Sequence, residues 1–254
     1  MKLYDALFYR RTVRKFKMEA LDAEFINHLK CFVRHLTPYN SDVQVDFLIV
    51  DNSKGEIKDN GIFQIRAPYY LLLSSENSKD KLLNAGYLMQ QVVLYLTAKG
   101  IGTCYQGNFR PTKEMLSKLK YDYCIAIAFG NPATRLEREP KEAVRLGFES
   151  IVCEKESLSD NVHTILEAAR LAPSALNSQP WRFVAYNNRL HVFAKKNIIN
   201  IVSDLRLLDI GIMLTNLSFA AEECGLKVKM KCLDNIAAKK FKNNEYVVSA
   251  ILKE

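Results

Sequence analysis

"APSALNSQPWRF", residues 172–183, joins a helical run to a strand-like one, and how it does so decides how the chain is read. Ahead of it, "NVHTILEAARL" (161–171) has a helical pattern. That pattern stops at Pro173, because proline cannot donate the next backbone hydrogen bond and pushes its predecessor away from helical angles. Behind it, Trp181, the chain's single tryptophan, opens the strand-like "WRFVAY". Between them, Ser174, Asn177 and Gln179 are uncharged hydrogen-bonding side chains at short spacing. They can line a loop around something polar but not strongly charged.

Outward from this stretch the chain divides into two halves with one order of elements. The first, expected over 1–150, reads as a helix over 20–34, strands in "VQVDFLIV" and "APYYLLLSS", a long helix over 84–99 closed by Gly100, and the strand "YCIAIAFG". The second, expected over 151–254, has the helix before Pro173, strands "WRFVAY" and "RLHVFAK", a helix over 207–224 closed by Gly225, and strands "KVKMKCL" and "YVVSAIL". Gly86, Gln91, Gly100 and Ile101 fall opposite Gly211, Asn216, Gly225 and Leu226 at a constant spacing of 125 residues. Pro38 and Gln44 fall opposite Pro173 and Gln179 at a spacing of 135. The expected architecture is α+β, with tandem-duplicated halves packed as an intramolecular pseudo-dimer.

Composition narrows the class. A chain of 254 residues with 48% apolar and 25% charged side chains builds a real core. The net charge of +8 attracts anions, but no block of like charges marks a nucleic-acid arm. Neither a nucleic-acid nor a membrane partner is expected, since no window approaches a membrane span and the N-terminus lacks a signal-peptide pattern. Six cysteines show no C-x-x-C spacing, which argues for reduced, mostly core thiols, no metal site and a cytoplasmic protein. The histidines form no ligand pair. "GIG" (100–102) follows a helix and lacks the third glycine of a dinucleotide fingerprint, so it reads as a helix stop.

"RRTVRKF" (10–16) sets four cations around a hydroxyl. Arginine presents a planar fork of donors suited to phosphate. In an extended segment Arg10, Thr12 and Arg14 point to one side. Taken alone, this segment is equally a solvated basic turn or a nucleic-acid patch.

Together, R-R-[ST]-x-R-x-F near the N-terminus and A-P-S-x-x-N-x-Q-P-W-x-F after a helix resemble the nitroreductase family of FMN-dependent oxidoreductases, most closely members that carry two fused half-domains. "AKGIGTCYQGNF" (98–109) and "FGNPATRLEREPKEAV" (129–144) are similar to two further family segments. The resemblance implies that Arg10, Arg11 and Thr12 meet the FMN phosphate or ribityl chain, with Arg138 as a late phosphate ligand and Arg14 near the pyrimidine edge. It places Pro173, Ser174, Ala175 and Asn177 against the flavin ring, and Gln106 and Gly107 where a backbone amide reaches it. Trp181 and Gln179 read as core and loop-satisfying residues. No side chain is named as catalytic.

One departure from the family pattern is informative. The basic motif and the P-S-x-x-N loop lie 163 residues apart. The near position, "TPYNSDVQVDF" (37–47), has Tyr39, Asp42 and Asp46 where the later copy has Ser174, Asn177 and Trp181, and the second half lacks a basic motif. Each motif is missing where the other is present, which implies one complete FMN site per chain. The resemblance further implies hydride transfer from NADH or NADPH through flavin to a small-molecule acceptor, nitroaromatic or quinone-type, with ping-pong kinetics. A monomer is expected, because fusion removes the need to dimerise. The alternative is an FMN-binding carrier or sensor without turnover.

Overall fold

The computed structural model describes residues 1–57, 65–196 and 205–253. The chain forms two compact units, Met1–Glu139 and Pro140–Glu254, each with its own sheet. The division falls at 139/140, where the sequence places it at 150/151.

The N-terminal unit contains α1 (Leu3–Tyr9), α2 (Ala23–Arg34), β1 (Val45–Asp51), β2 (Tyr69–Ser75), α3 (Lys81–Ala98), β3 (Gly102–Gln106), α4 (Lys113–Lys118) and β4 (Asp122–Gly130). Helix α2 starts at Ala23 rather than at residue 20 because Asp22 caps it: its carboxylate accepts the Glu24 and Phe25 amides at 2.6 and 3.4 Å. The sheet order is β1-β2-β4-β3, antiparallel throughout. Strand β2 is buried along its whole length, so its continuous apolar run reflects a strand covered on both faces. Leu71, Leu72 and Leu73 are fully buried, and each such side chain stabilises the fold by about 1.5–3 kcal/mol.

The C-terminal unit contains α5 (Phe148–Ile151), β5 (Val152–Glu154), α6 (Asp160–Arg170), β6 (Trp181–Tyr186), β7 (Arg189–Lys195), α7 (Leu205–Glu223), β8 (Lys227–Lys231), α8 (Asp234–Ala237) and β9 (Asn244–Lys253). Its sheet runs β5-β6-β7-β9-β8, with β5 parallel to β6 and the other pairs antiparallel. The edge strand β8 shows Lys227, Lys229 and Lys231 on its exposed face, which discourages pairing with another chain.

Apart from β5, the two sheets have one strand order and carry the long helix at the same point of the chain. Both long helices end alike. Gly100 and Gly225 take left-handed φ of 80° and 75°. Their amides donate to Thr97 and Glu222, and the next amides, of Ile101 and Leu226, donate to Leu96 and Ala221. This is a Schellman closure, and the positive φ is why glycine stands at both positions.

The sequence does not predict α1, α4 or β3. The segment "GTCYQ" is short and lacks strand periodicity, and it becomes β3 because β4 pairs with it. The expectation of mostly core thiols is also corrected. All six cysteines are free and only Cys104 is buried, whereas Cys31, Cys153 and Cys232 are exposed on a helix face, an edge strand and a strand end. No helix among the described residues is long and apolar enough to cross a membrane.

Candidate functional site

In the N-terminal unit the basic segment is extended and fastened on both sides. The Val13 amide donates to the Thr103 carbonyl of β3 at 2.9 Å, and Thr12 bridges Thr103. On its other flank Arg10 bridges Glu137, the Ala133 amide donates to Lys15 O at 2.9 Å, and the Lys17 amide donates to Asn131 O at 2.9 Å. The Arg138 amide donates to Tyr9 O at 2.8 Å, which brings Arg138 beside Arg10 despite their separation in sequence.

Gly102 permits this approach. A Cβ there would lie 3.0 Å from each of three Val13 side-chain carbons. Val13 and Phe16 face inward onto a cluster that includes Tyr70, Cys104 and Phe109.

The cations differ in exposure. Arg10 is buried and its Nη2 donates to Thr12 Oγ1 at 3.3 Å, Arg11 is half-buried, and Arg14 is exposed. Burial pushes the Cys104 thiol up, and the charges of Arg14 and then Arg10 oppose that rise. Gln106 spends its side chain internally: Nε2 donates to the Cys104 and Tyr105 carbonyls at 3.3 Å, and Oε1 accepts the Ile65 amide at 3.4 Å. Gly107 is exposed in the turn after β3.

In the C-terminal unit Pro173 is buried and closes α6, and Trp181 is 0% exposed at the start of β6. Between them Leu176, Asn177 and Gln179 have φ of 51°, 55° and 46°. Non-glycine residues in this region cost about 1–3 kcal/mol each and persist only where their surroundings over-determine them.

Those surroundings are specific. The Gln179 amide donates to Ser174 Oγ at 2.9 Å, Gln179 Oε1 accepts the Leu146 amide at 2.7 Å, and Gln179 Nε2 donates to Asn177 O at 3.1 Å. Gln179 thus serves backbone groups of the loop and of the segment at Leu146. Arg145 donates to the Leu171 and Ala172 carbonyls at 3.1 Å and to Asn177 Oδ1 at 3.0 Å. Asn177 Nδ2 returns a bond to Val144 O at 3.1 Å. On the helix side, Asp209 of α7 accepts the Ala175 amide at 3.0 and 3.1 Å and the Ser178 hydroxyl at 3.5 Å. Burial pushes the Asp209 carboxyl up to about 7, and the bonds from Ala175 and Ser178 oppose the rise. Leu176, at the tip, is 89% exposed.

Sequence reasoning missed Arg145, Leu176 and Asp209. The signal for Asp209 was a lone acidic residue at the head of the apolar run "DIGIMLTN", since a buried carboxylate demands partners. A cavity of about 260 Å³ in this unit, lined in part by Cys153, Arg182, Phe193 and Phe241, includes none of the loop residues 173–179.

A family model described as "Putative TM nitroreductase" matches residues 2–221. The chain belongs to this nitroreductase family. Among solved structures it is similar to a "putative nitroreductase" from Thermotoga maritima, at 23% identity and a TM-score of 0.67 over 99% of this chain and 94% of that one. That likeness supports the mixed α+β fold with two sheets. An FMN-dependent nitroreductase from Clostridium difficile covers 54% of this chain and 94% of its own at 18% identity and a TM-score of 0.44. A "Putative NADH dehydrogenase/NAD(P)H nitroreductase" from Bacteroides thetaiotaomicron covers 54% and 90% at 19% identity and a TM-score of 0.42. A comparison with curated proteins finds no match.

Proposed function

We propose that the chain is an FMN-dependent oxidoreductase that takes hydride from NADH or NADPH and passes reducing equivalents to a nitroaromatic or quinone-type acceptor. Family membership supports oxidoreductase chemistry. The observation that carries the cofactor is the donor set of the N-terminal unit, where Arg10, Thr12 and Arg138 are drawn together by backbone pairing and Arg14 follows in the same extended segment. Planar guanidinium forks beside a hydroxyl fit a phosphate, and each charge-assisted bond contributes about 1.5–3 kcal/mol.

When bound, FMN would supply the two-electron chemistry that links the nicotinamide donor to the acceptor. The chain's residues bind and orient it. Arg10, Arg11, Thr12 and Arg138 would hold the phosphate and ribityl chain, and Arg14 would add positive charge that favours reduced flavin. Gly107 offers a backbone amide free of side-chain obstruction, and Gln106 braces the turn that presents it. Pro173, Ser174, Ala175 and Asn177 supply a clamped polar loop.

The reading includes an origin by duplication, with one complete site and one decayed site per chain. In its support, the two sheets share a strand order, the two long helices share a Schellman closure, and the helix–loop latch recurs. In the N-terminal unit Asn84 Oδ1 accepts the Tyr39 and Asn40 amides at 2.9 and 3.2 Å. Asn84 stands 125 residues before Asp209, and Asn40 stands 135 before Ala175, the spacings found in the sequence. The halves then act as a pseudo-dimer in one monomeric chain, and a reducing cytoplasm suits its six free cysteines.

The test is to load purified protein with FMN and add NADH or NADPH without oxygen. Bleaching of the bound flavin, followed by parallel-line kinetics with an acceptor, is expected. Flavin that binds but is never reduced makes the chain a carrier or sensor, and intersecting kinetics overturn the ping-pong scheme.

A further inference from the structure

We infer that Asp209 is a positioning residue: from inside α7 its carboxylate fixes the 174–179 loop in the conformation that receives FMN. The inference rests on the functional reading above. Two independent observations carry it.

The first is the bonding geometry. Asp209 is 2% exposed in a helix whose buried side chains are mostly apolar, where a carboxylate is costly unless it has partners. Its partners are the Ala175 amide and the Ser178 hydroxyl, one on each side of the left-handed residues Leu176 and Asn177. Holding both flanks limits the rotations by which the loop could relax to ordinary backbone angles. The exposed side of the loop is fastened by Arg145 and the buried side by Asp209, which leaves Leu176 projecting.

The second is recurrence. Asn84 makes the corresponding bonds to the segment after α2 in the N-terminal unit. An amide oxygen therefore suffices as acceptor at this point of the fold. The acid in the C-terminal unit coincides with the loop that keeps Ser174 and Asn177, whereas the neutral version holds the segment that has Tyr39 and Asp42.

A loop populated only fractionally in its binding conformation weakens apparent affinity by that fraction. The test measures FMN affinity by quenching of flavin fluorescence, with the visible spectrum of the bound flavin and the thermal unfolding of the protein recorded alongside. Asp209→Ala is expected to weaken FMN binding about tenfold or more, the loss of a buried charge-assisted bond. Asp209→Asn is expected to restore affinity to within about threefold of wild type, because its Oδ1 accepts the Ala175 amide as Asn84 accepts Asn40.

A loop-side variant covers the case in which Asp209→Ala fails to fold. Ser174 is extended (φ −145°, ψ 159°), the conformation that a following proline requires of its predecessor, so Ala175→Pro deletes the donated N–H while leaving Ser174 as it is. It is expected to lose affinity as Asp209→Ala does. Wild-type affinity in Asp209→Ala or in Ala175→Pro, or affinity in Asp209→Asn as poor as in Asp209→Ala, overturns the positioning role and leaves the functional reading standing. Failure of the wild-type protein to bind FMN overturns both.

Discussion

Replacing Asp209 by Asn should make the protein more stable, and by an amount that grows with pH. The ordinary carboxyl value of 3.8 rises to about 7 in the folded protein because burial disfavours the charge. The folded state then holds this proton more tightly than the unfolded state does. Stability contributed by protonated Asp209 is fully present below about pH 4, declines as pH rises through the window up to about 7, and is gone above it.

Each pH unit within that window is worth about 1.4 kcal/mol, so the whole span amounts to about 4 kcal/mol. Asparagine cannot titrate, and its amide oxygen can still accept from Ala175. Any constant difference between Asn and protonated Asp cancels when two pH values are compared. The advantage of Asp209→Asn at about pH 8 should therefore exceed that at about pH 5 by about 3 kcal/mol. Urea unfolding followed by Trp181 fluorescence is the assay, because the chain's only tryptophan is fully buried in the same unit as Asp209. An advantage that is equal at the two pH values, or larger at the acid one, would refute the reasoning.

Other perturbations probe the remaining parts of the site. Gly102→Ala places a methyl group against Val13 and should lift the basic segment from β3, costing about 1–3 kcal/mol and weakening FMN binding, both measurable on one preparation. Arg145→Ala removes bonds to Leu171, Ala172 and Asn177 and should destabilise the C-terminal unit by about 2 kcal/mol, read from Trp181 unfolding. Thiol alkylation near neutral pH, read by mass spectrometry, should modify Cys31, Cys153 and Cys232 first. Cys104, buried with its thiol pushed up, and Cys124, pushed up to about 11, should resist.

What the sequence revealed, and what it hid, follows from the range of the forces involved. Strands β6 and β7 have the bounds read from "WRFVAY" and "RLHVFAK", because a dense aromatic and β-branched run on each side of Asn187–Asn188 is a local signal. The long helices were legible from their closing glycines, whose left-handed φ is a property of single residues. Strand β3 was not, because its ladder partners lie in β4 and in the segment at Thr12.

The same division runs through the site. The polar character of Ser174, Asn177 and Gln179 was visible in order, and so was the alternation of Arg10, Thr12 and Arg14. That Arg10 would be buried while Arg14 stays exposed depends on Glu137 pairing across the segment. The partner of Ala175 stands 34 residues away on another element, and only folding brings it there.

The central claim is the proposal that the chain binds one FMN, with Arg10 and Asn177 both among the residues that retain it. The most direct test is the stoichiometry of FMN bound to the full chain, taken from the flavin absorbance of protein freed of excess cofactor. The account predicts one FMN per chain, with Arg10→Ala and Asn177→Ala each reducing its retention. No bound FMN, two per chain, or retention untouched by both substitutions would contradict it.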